Sequence, residues 1–193
     1  MRCLINQQVT KYGYDNTGTV EYSFNSLGFR SDEITSRPSL VVVGNSISFG
    51  IGLSIEQTYG HLVAQRINRP LINLSIGCYF HENHNNLINL TNLSNQAHIF
   101  VIQINNLDRG THTDKLARFV DYYQQTQEIL KNQQVIYLYW DEKEYAIPNS
   151  IKDSILIYNK FHLDSSLPDN TGTFGPHSHR VIAEIVQSKL QIN

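Results

Sequence analysis

Apolar residues in this chain gather in short runs, and longer stretches with a different periodicity lie between them. The most hydrophobic run covers residues 40–44, and later runs cover 70–75, 97–104 and 134–140. Runs of this length predict buried strands, and a weaker strand is expected near 154–158.

Between the runs, apolar residues recur at the spacing of one helix face. Helices are predicted over 56–67, 81–93 and 114–131. A final helix carries a core stripe that consists of Val181, Ile182, Ile185 and Val186. Because strands separated by helices of about ten or more residues pair in parallel through right-handed crossovers, the sequence predicts an α/β fold. Its expected architecture is a three-layer α/β/α sandwich around a parallel sheet.

The first 38 residues show strand-like character but little helical periodicity. Residues 9–12 and 20–24 flank the turn-forming segment 15–18, which predicts a β-hairpin. We therefore expect residues 1–38 to form an N-terminal extension packed on or beside the core, and residues 39–193 to form a single domain. Whether the extension also covers a cleft or binds a partner stays open at this point.

Composition narrows the class of protein. The chain has 193 residues, of which 40% are hydrophobic and 17% charged, as in a soluble globular domain. A net charge of −2 without any Lys/Arg cluster argues against nucleic acid or an anionic membrane as partner. No signal peptide or membrane span is expected, so the expected location is the cytoplasm. Composition does not indicate the oligomeric state.

No cofactor or metal is expected from the motifs. Cys3 and Cys78 are too few for a disulfide framework and lack the spacing of a metal site. His81 and His84 would share a helix face, but no obvious third ligand accompanies them. The glycines of residues 50–52 are not followed by the third glycine of a dinucleotide-binding fingerprint.

The strongest candidate for chemistry is the end of the first buried strand. There, Gly44-Asn45-Ser46 leads into a glycine-spaced turn over 46–52. Glycine at 44 permits a turn that bulkier residues resist, and open α/β sheets hold their ligands at the carboxyl ends of strands. Ser46 is therefore a candidate nucleophile. The alternative is an ordinary strand-to-helix turn in which the serine caps a helix.

Other polar segments are expected at the same edge of the sheet. Polar or glycine residues end two further strands and fill the loop before the last helix, at 75–77, 103–106 and 169–179. A serine nucleophile needs a base, and an oxyanion needs hydrogen-bond donors aimed at it. The N–H groups of Ser46 and Gly77 and the side-chain amide of Asn105 or Asn106 are the candidate donors.

The order of these pieces resembles the SGNH (GDSL-type) hydrolase family over roughly residues 20–190. Residues 44–50 look like the first sequence block of this family. Gly77 matches the glycine of the second block, and residues 103–106 look like a degenerate form of the third block. Residues 176–183 resemble the segment that follows the family's catalytic histidine, and residues 22–30 resemble a lead-in found in one branch. The resemblance implies a flavodoxin-like, SGNH-type sheet.

The resemblance also implies an activity. It suggests a serine esterase or O-acyl (acetyl) esterase that acts on small or carbohydrate esters through an acyl-enzyme. Ser46 would be the nucleophile, and the amides of Ser46 and Gly77 would form the oxyanion site with Asn105. Candidate substrate-binding residues are Asn45, Tyr79, Asn106 and Thr173.

The sequence departs from the family at the position of the catalytic base. Thr173 stands where the resemblance calls for histidine, and threonine is no proton acceptor near neutral pH. Asp169 or Asn170 stands at the position of the orienting acid, and Asp169 is the candidate for that role. His177 is the candidate replacement base, whereas His179 matches a position that in the family is usually structural. Gln103 stands in place of a glycine, which is expected to narrow the space at the third block.

Two functions therefore stay open. One is an active serine esterase with a substitute base. The other is a catalytically inactive SGNH-fold protein that serves as a glycan-binding, ligand-binding or structural module.

Overall fold

The fold was obtained as a computed structural model of the chain. It describes residues 9–12, 19–75, 89, 91–93, 95–105, 112–140, 155–157 and 175–190.

The chain begins with the expected hairpin. Strands β1 (Val9–Tyr12) and β2 (Thr19–Tyr22) pair antiparallel, with Val9 opposite Tyr22. The hairpin prediction is therefore confirmed, although the turn itself lies outside the described residues. The side chain of Tyr22 is buried, and its hydroxyl accepts a 2.7 Å hydrogen bond from the backbone N–H of Gly52. This contact supports our proposal that residues 1–38 pack as an extension on a domain of residues 39–193.

Within the described residues, the main sheet has five parallel strands. They are β3 (Leu40–Val43), β4 (Leu71–Asn73), β5 (Ile99–Asn105), β6 (Gln134–Trp140) and β7 (Ile155–Ile157). Their spatial order is β4-β3-β5-β6-β7, which is the flavodoxin-like order. Each strand lies within two residues of its predicted bounds.

The helices cover both faces of this sheet. They are α1 (Ser46–Phe49), α2 (Tyr59–Arg66), α3 (His112–Ile129) and α4 (Pro176–Lys189), with a 3-10 helix at Ile55–Gln57. Val41 and Val43 pack on the face covered by α3, whereas Leu40 and Val42 pack on the face covered by α2 and α4. Because side chains alternate between faces, an entirely apolar strand such as β3 needs cover on both. The predicted three-layer α/β/α sandwich is confirmed.

Local capping changes one predicted helix and one predicted turn. The helix expected over 56–67 is interrupted at Thr58, whose hydroxyl donates to the carbonyl of Ile55 and accepts from the N–H of His61. This threonine ends the 3-10 helix and begins α2. The segment 46–52, predicted as a turn, contains the one-turn helix α1. Of the helix expected over 81–93, residues 89 and 91–93 are helical, and the remainder lies outside the described residues.

Candidate functional site

The strand order fixes where a ligand can bind. From β3 the chain moves first to β4 on one side and then to β5 on the other, so the order reverses between β3 and β5. In open α/β sheets the crevice at such a switch point, outside the carboxyl ends of the strands, is the ligand site. Val43 lies opposite Ile102 in the register, and Ser46 and Asn105 each follow that pair by three residues. The backbones of both candidate residues therefore reach the same edge.

The turn after β3 is held by asparagine rather than by serine. Asn45 precedes α1, and its Oδ1 accepts a 3.1 Å hydrogen bond from the N–H of Ile47. The turn ends at Gly50, which has a left-handed backbone with φ of 76°. Ser46 is thus the first residue of α1, and the alternative of a helix-capping serine is wrong. Within the described residues, the Ser46 hydroxyl makes no hydrogen bond and stays half-buried at the edge.

A buried polar network lies beneath this turn and is centred on Ser48. The N–H of Ser48 donates to Oε1 of Gln103 at 3.0 Å, and its hydroxyl donates to the same oxygen. The Tyr59 hydroxyl lies 2.6 Å from the Ser48 hydroxyl, and Nδ2 of Asn73 donates to the Ser48 carbonyl at 3.1 Å. All four side chains are buried, and burial raises the pKa of Tyr59. Gln103 therefore lies under the turn, buried and bonded to Ser48.

Gly44 is required by the close approach of this network. A Cβ atom at position 44 would lie 2.7 Å from Cβ of Ser48 and 2.9 Å from Cβ of Gln103. Real Cβ atoms do not come so close, so one of the two neighbours would have to move.

Gly44→Ala is therefore expected to destabilise the protein by about 2–3 kcal/mol, which is the usual cost of overpacking. Urea denaturation followed by circular dichroism measures the effect. Gly52→Ala is not a fair comparison, because Gly52 has a positive φ of 82°. Ser36→Ala, at an exposed position before β3, is the control. A wild-type midpoint in Gly44→Ala would contradict the close packing.

His179 connects the last helix to the network. It is 1% exposed, and its Nδ1 accepts a 3.0 Å hydrogen bond from the N–H of Tyr59, on which its ring stacks. Burial lowers the pKa of His179 to about 3, so the imidazole is neutral. Nε2 has no hydrogen-bond partner among the described residues. A buried neutral imidazole bonded to a backbone N–H has a structural role, as expected for this position.

His177 lies in the first turn of α4 and is exposed. It is two residues before His179, so the two imidazoles point to nearly opposite sides of the helix. The contact between His179 and Tyr59 brings this turn of α4 close to the network under α1. Within the described part of the chain, no hydrogen bond joins His177 to the Ser46 hydroxyl.

Arg30 anchors the far side of the α1 turn and is 1% exposed. Its Nη1 donates to the carbonyls of Phe49 and Gly50, both at 2.8 Å, and its Nη2 donates to the carbonyl of Leu53 at 2.6 Å. The guanidinium also lies 4.5 Å from the ring centroid of Tyr22. Burial lowers the pKa of Arg30 to about 10, which leaves it charged at neutral pH.

Several candidate residues are not located by the structure. Only the backbone of Asn105, the last residue of β5, is described. Five further candidates lie outside the described residues, namely Gly77, Tyr79, Asn106, Asp169 and Thr173.

The sequence does not predict the network under the turn. It places Gln103 at a polar strand end and in place of a glycine, and it indicates no role at the site for Ser48 or Tyr59. The available signal was the position of Gln103, a polar residue within an otherwise apolar strand run, because buried polar side chains have hydrogen-bond partners.

The described residues contain no group of three or more His, Cys, Asp or Glu side chains that could hold a metal ion. His81 and His84 lie outside those residues. None of the helices in the described ranges combines the length and apolarity that a bilayer crossing requires.

Comparison with known proteins shows a shared fold. No family model matches the sequence, and no curated protein matches it significantly. Among solved structures, a carbohydrate esterase whose active site displays divergent catalytic and non-catalytic binding functions matches with a TM-score of 0.57 at 12% identity, over 84% of this chain and 70% of that chain.

Two further structures agree with this result. A putative lipolytic protein of the G-D-S-L family from Desulfitobacterium hafniense DCB-2 has a TM-score of 0.56 at 14% identity, over 79% of this chain and 99% of that chain. A carbohydrate esterase family 2 enzyme with a carbohydrate-binding domain, from Corynascus thermopiles (Myceliophthora fergusii), has a TM-score of 0.54 at 12% identity, over 88% of this chain and 68% of that chain. The chain therefore has an SGNH-like α/β fold.

Proposed function

We propose that this protein hydrolyses ester bonds with Ser46 as the nucleophile. The observation that carries the proposal is the position of Ser46, the first residue of a capped turn at the switch point of the sheet. Its hydroxyl is used neither as the helix cap nor in the buried network, within the described residues. It is therefore available to a substrate in the crevice.

O-acyl groups on carbohydrates, or other small esters, are the proposed substrates. Two of the three structures described above, which share the fold, are carbohydrate esterases, and the third is a putative lipolytic protein of the G-D-S-L family. At 12–14% identity these neighbours support the fold, and the substrate class is inferred from what they act on.

In the proposed reaction, the Ser46 oxygen attacks the acyl carbon while its proton passes to a base. The alcohol then leaves with that proton, and water releases the acyl group as an acid. The N–H of Ser46 is the first donor of α1 and suits the developing oxyanion, with Gly77 and Asn105 proposed as further donors. Oδ1 of Asn45 already accepts one hydrogen bond from the N–H of Ile47, so we propose that Asn45 contacts the substrate through its Nδ2.

His177 is the proposed base, with Asp169 as its orienting acid. Its exposed position at the start of α4, near the network that supports α1, favours it over His179, which is buried and bonded to Tyr59. Tyr79, Asn106 and Thr173 are proposed to contact the substrate.

A second function, ligand binding without catalysis, is supported by the histidines. Among the described residues, no histidine is hydrogen-bonded to Ser46, and His177 lies on the side of α4 opposite to His179. The presence of threonine at position 173, where the resemblance calls for histidine, also supports ligand binding. In this alternative the crevice binds a glycan or an acylated ligand.

Labelling with a fluorophosphonate probe, mapped by mass spectrometry, separates the two functions. An esterase is expected to form an adduct on Ser46 that disappears in Ser46→Ala and persists in the control Ser188→Ala, at an exposed serine of α4. His177→Ala is expected to slow labelling by about 10²-fold to 10⁴-fold, the usual contribution of a general base.

Of the remaining outcomes, two contradict the esterase and one rejects only its proposed base. Labelling of Thr173→His but not of the wild type would indicate a hydrolase scaffold that lacks its base, and would favour ligand binding. An absence of labelling in both proteins would contradict Ser46 as a nucleophile. Wild-type rates in His177→Ala would leave Ser46 as the nucleophile and reject His177 as the base.

A further inference from the structure

We propose that Gln103 is a positioning residue that holds Ser46 in its reactive place by fixing Ser48. The inference rests on the proposed function of Ser46. It concerns a residue at the end of a neighbouring strand that does not itself face the substrate, since Gln103 is 1% exposed.

The first observation is that one oxygen serves two donors. Oε1 of Gln103 accepts from both the N–H and the hydroxyl of Ser48. An amide oxygen has two lone pairs and can accept both bonds, whereas the amide nitrogen can accept neither. The N–H of Ser48 therefore fixes which end of the Gln103 amide faces the turn.

The second observation is that three different elements hold the polar groups of Ser48. Gln103 of β5 takes its N–H, Asn73 of β4 binds its carbonyl, and the Tyr59 hydroxyl of α2 meets its side chain. Since the Ser48 hydroxyl donates to Gln103, the Tyr59 hydroxyl must be the donor to Ser48. The order of hydrogen bonds thus runs from Tyr59 through Ser48 to Gln103.

The third observation is the distribution of acceptors over α1. Asn45 accepts from the N–H groups of Ile47 and Phe49, through its side chain and its carbonyl respectively. Gln103 accepts from that of Ser48. Within the described residues, this leaves the N–H of Ser46 as the donor of α1 that has no acceptor. Gln103 therefore completes a turn in which that donor is reserved for the crevice.

Loss of Gln103 has a predictable result. Leucine in its place would leave the buried N–H and hydroxyl of Ser48 without their acceptor, and the turn would shift to satisfy them. Ser46 is two residues away in the same turn, so its oxygen would move with it. A displacement of about 1 Å at a reacting group is enough to lower a rate about 10²-fold.

The test compares Gln103→Leu with Gln103→Glu. Glutamate keeps a carboxyl oxygen where Oε1 lies, so it can accept both bonds from Ser48. We expect fluorophosphonate labelling of Ser46 to slow by about 10-fold to 10²-fold in Gln103→Leu and to recover to within about threefold of wild type in Gln103→Glu. With 4-nitrophenyl acetate, kcat is expected to fall while KM changes little.

The control is Tyr137→Phe, which removes the buried hydrogen bond to Thr126 under helix α3. It lowers stability without touching the α1 turn, so its labelling rate is expected to equal that of the wild type. Slow labelling in Gln103→Leu at matched fractions of folded protein then reports positioning rather than unfolding.

Two outcomes overturn the inference, and they differ from failure of the proposed function. If the wild type is labelled and Gln103→Leu is labelled as fast, Gln103 does not position Ser46, although the esterase stands. If the wild type is not labelled, the esterase fails, and amide hydrogen exchange over residues 44–52 tests the positioning. Exchange faster in Gln103→Leu than in Tyr137→Phe is expected, and equal exchange overturns the inference.

Discussion

Replacement of Arg30 by methionine is expected to lower the free energy of unfolding by about 3 kcal/mol or more. The guanidinium donates three hydrogen bonds to the carbonyls of Phe49, Gly50 and Leu53. Charged donors form stronger hydrogen bonds than neutral ones, and methionine offers none. The variant leaves buried carbonyl oxygens without this donor and removes the stacking on Tyr22.

Arg30→Lys is not expected to restore stability. A single ammonium lacks the planar fork that reaches three carbonyls at once, and lysine loses more from burial than arginine does. Urea denaturation of both variants measures the effect. The control is Arg66→Met, because Arg66 is exposed and, among the described residues, its hydrogen bond goes to the exposed end of Gln187. That control is expected to stay within about 0.5 kcal/mol of wild type. A similarly small change in Arg30→Met would contradict the anchoring role.

Lowering the pH from about 6.5 toward 3 is expected to destabilise the wild type strongly through His179. Burial, with a smaller effect of the Arg30 charge, lowers the pKa of this imidazole to about 3 in the folded protein. In the unfolded chain it takes up a proton near its ordinary pKa of about 6.5. Between the two values the unfolded state holds one more proton than the folded state. As the pH is lowered, the free energy of unfolding therefore decreases, by roughly 4–5 kcal/mol in all.

The sign follows from which state binds the proton. Above about pH 6.5 both states are neutral at this position, and the contribution to stability is fully present. It is lost progressively as the pH falls, and the loss is complete near pH 3, where the folded imidazole is also protonated. His98 adds to the same trend, because burial lowers its pKa as well.

Denaturation at pH 7, 6, 5 and 4 checks this expectation. His179→Gln keeps an oxygen that can accept from the N–H of Tyr59 but does not titrate, so its stability should fall less steeply than that of the wild type. His177→Gln, at an exposed histidine of the same helix, is the matched control and should follow the wild type. Equal slopes in wild type and His179→Gln would contradict a neutral buried imidazole.

Much of the fold could be predicted from the sequence because the information is local. The run over 40–43 is apolar at every position, and only a strand covered on both faces accommodates that pattern. The stripe on the last helix likewise predicted its inner face, with Ile182 and Val186 fully buried. Errors fell where capping by a single residue decided the outcome, as at Thr58.

The candidate site could be predicted only in part. Gly44 and Ser46 stood out because a glycine followed by serine after a buried strand is a local pattern. Gln103 and Arg30 could not be assigned their partners in the same way. Their hydrogen bonds span 55 and 19–23 residues of sequence, and no periodicity in the chain relates the two ends.

The sequence by itself determined the parallel sheet, its helical cover and the edge at which Ser46 lies, since hydrophobic periodicity and chain order specify these features. Only the tertiary structure decided that Asn45 caps the turn, that Gln103 and Tyr59 hold Ser48, and that Arg30 fastens the other side. The physical reason is that a buried polar group must find a partner, but its identity depends on which distant residues the packed fold brings within hydrogen-bond distance.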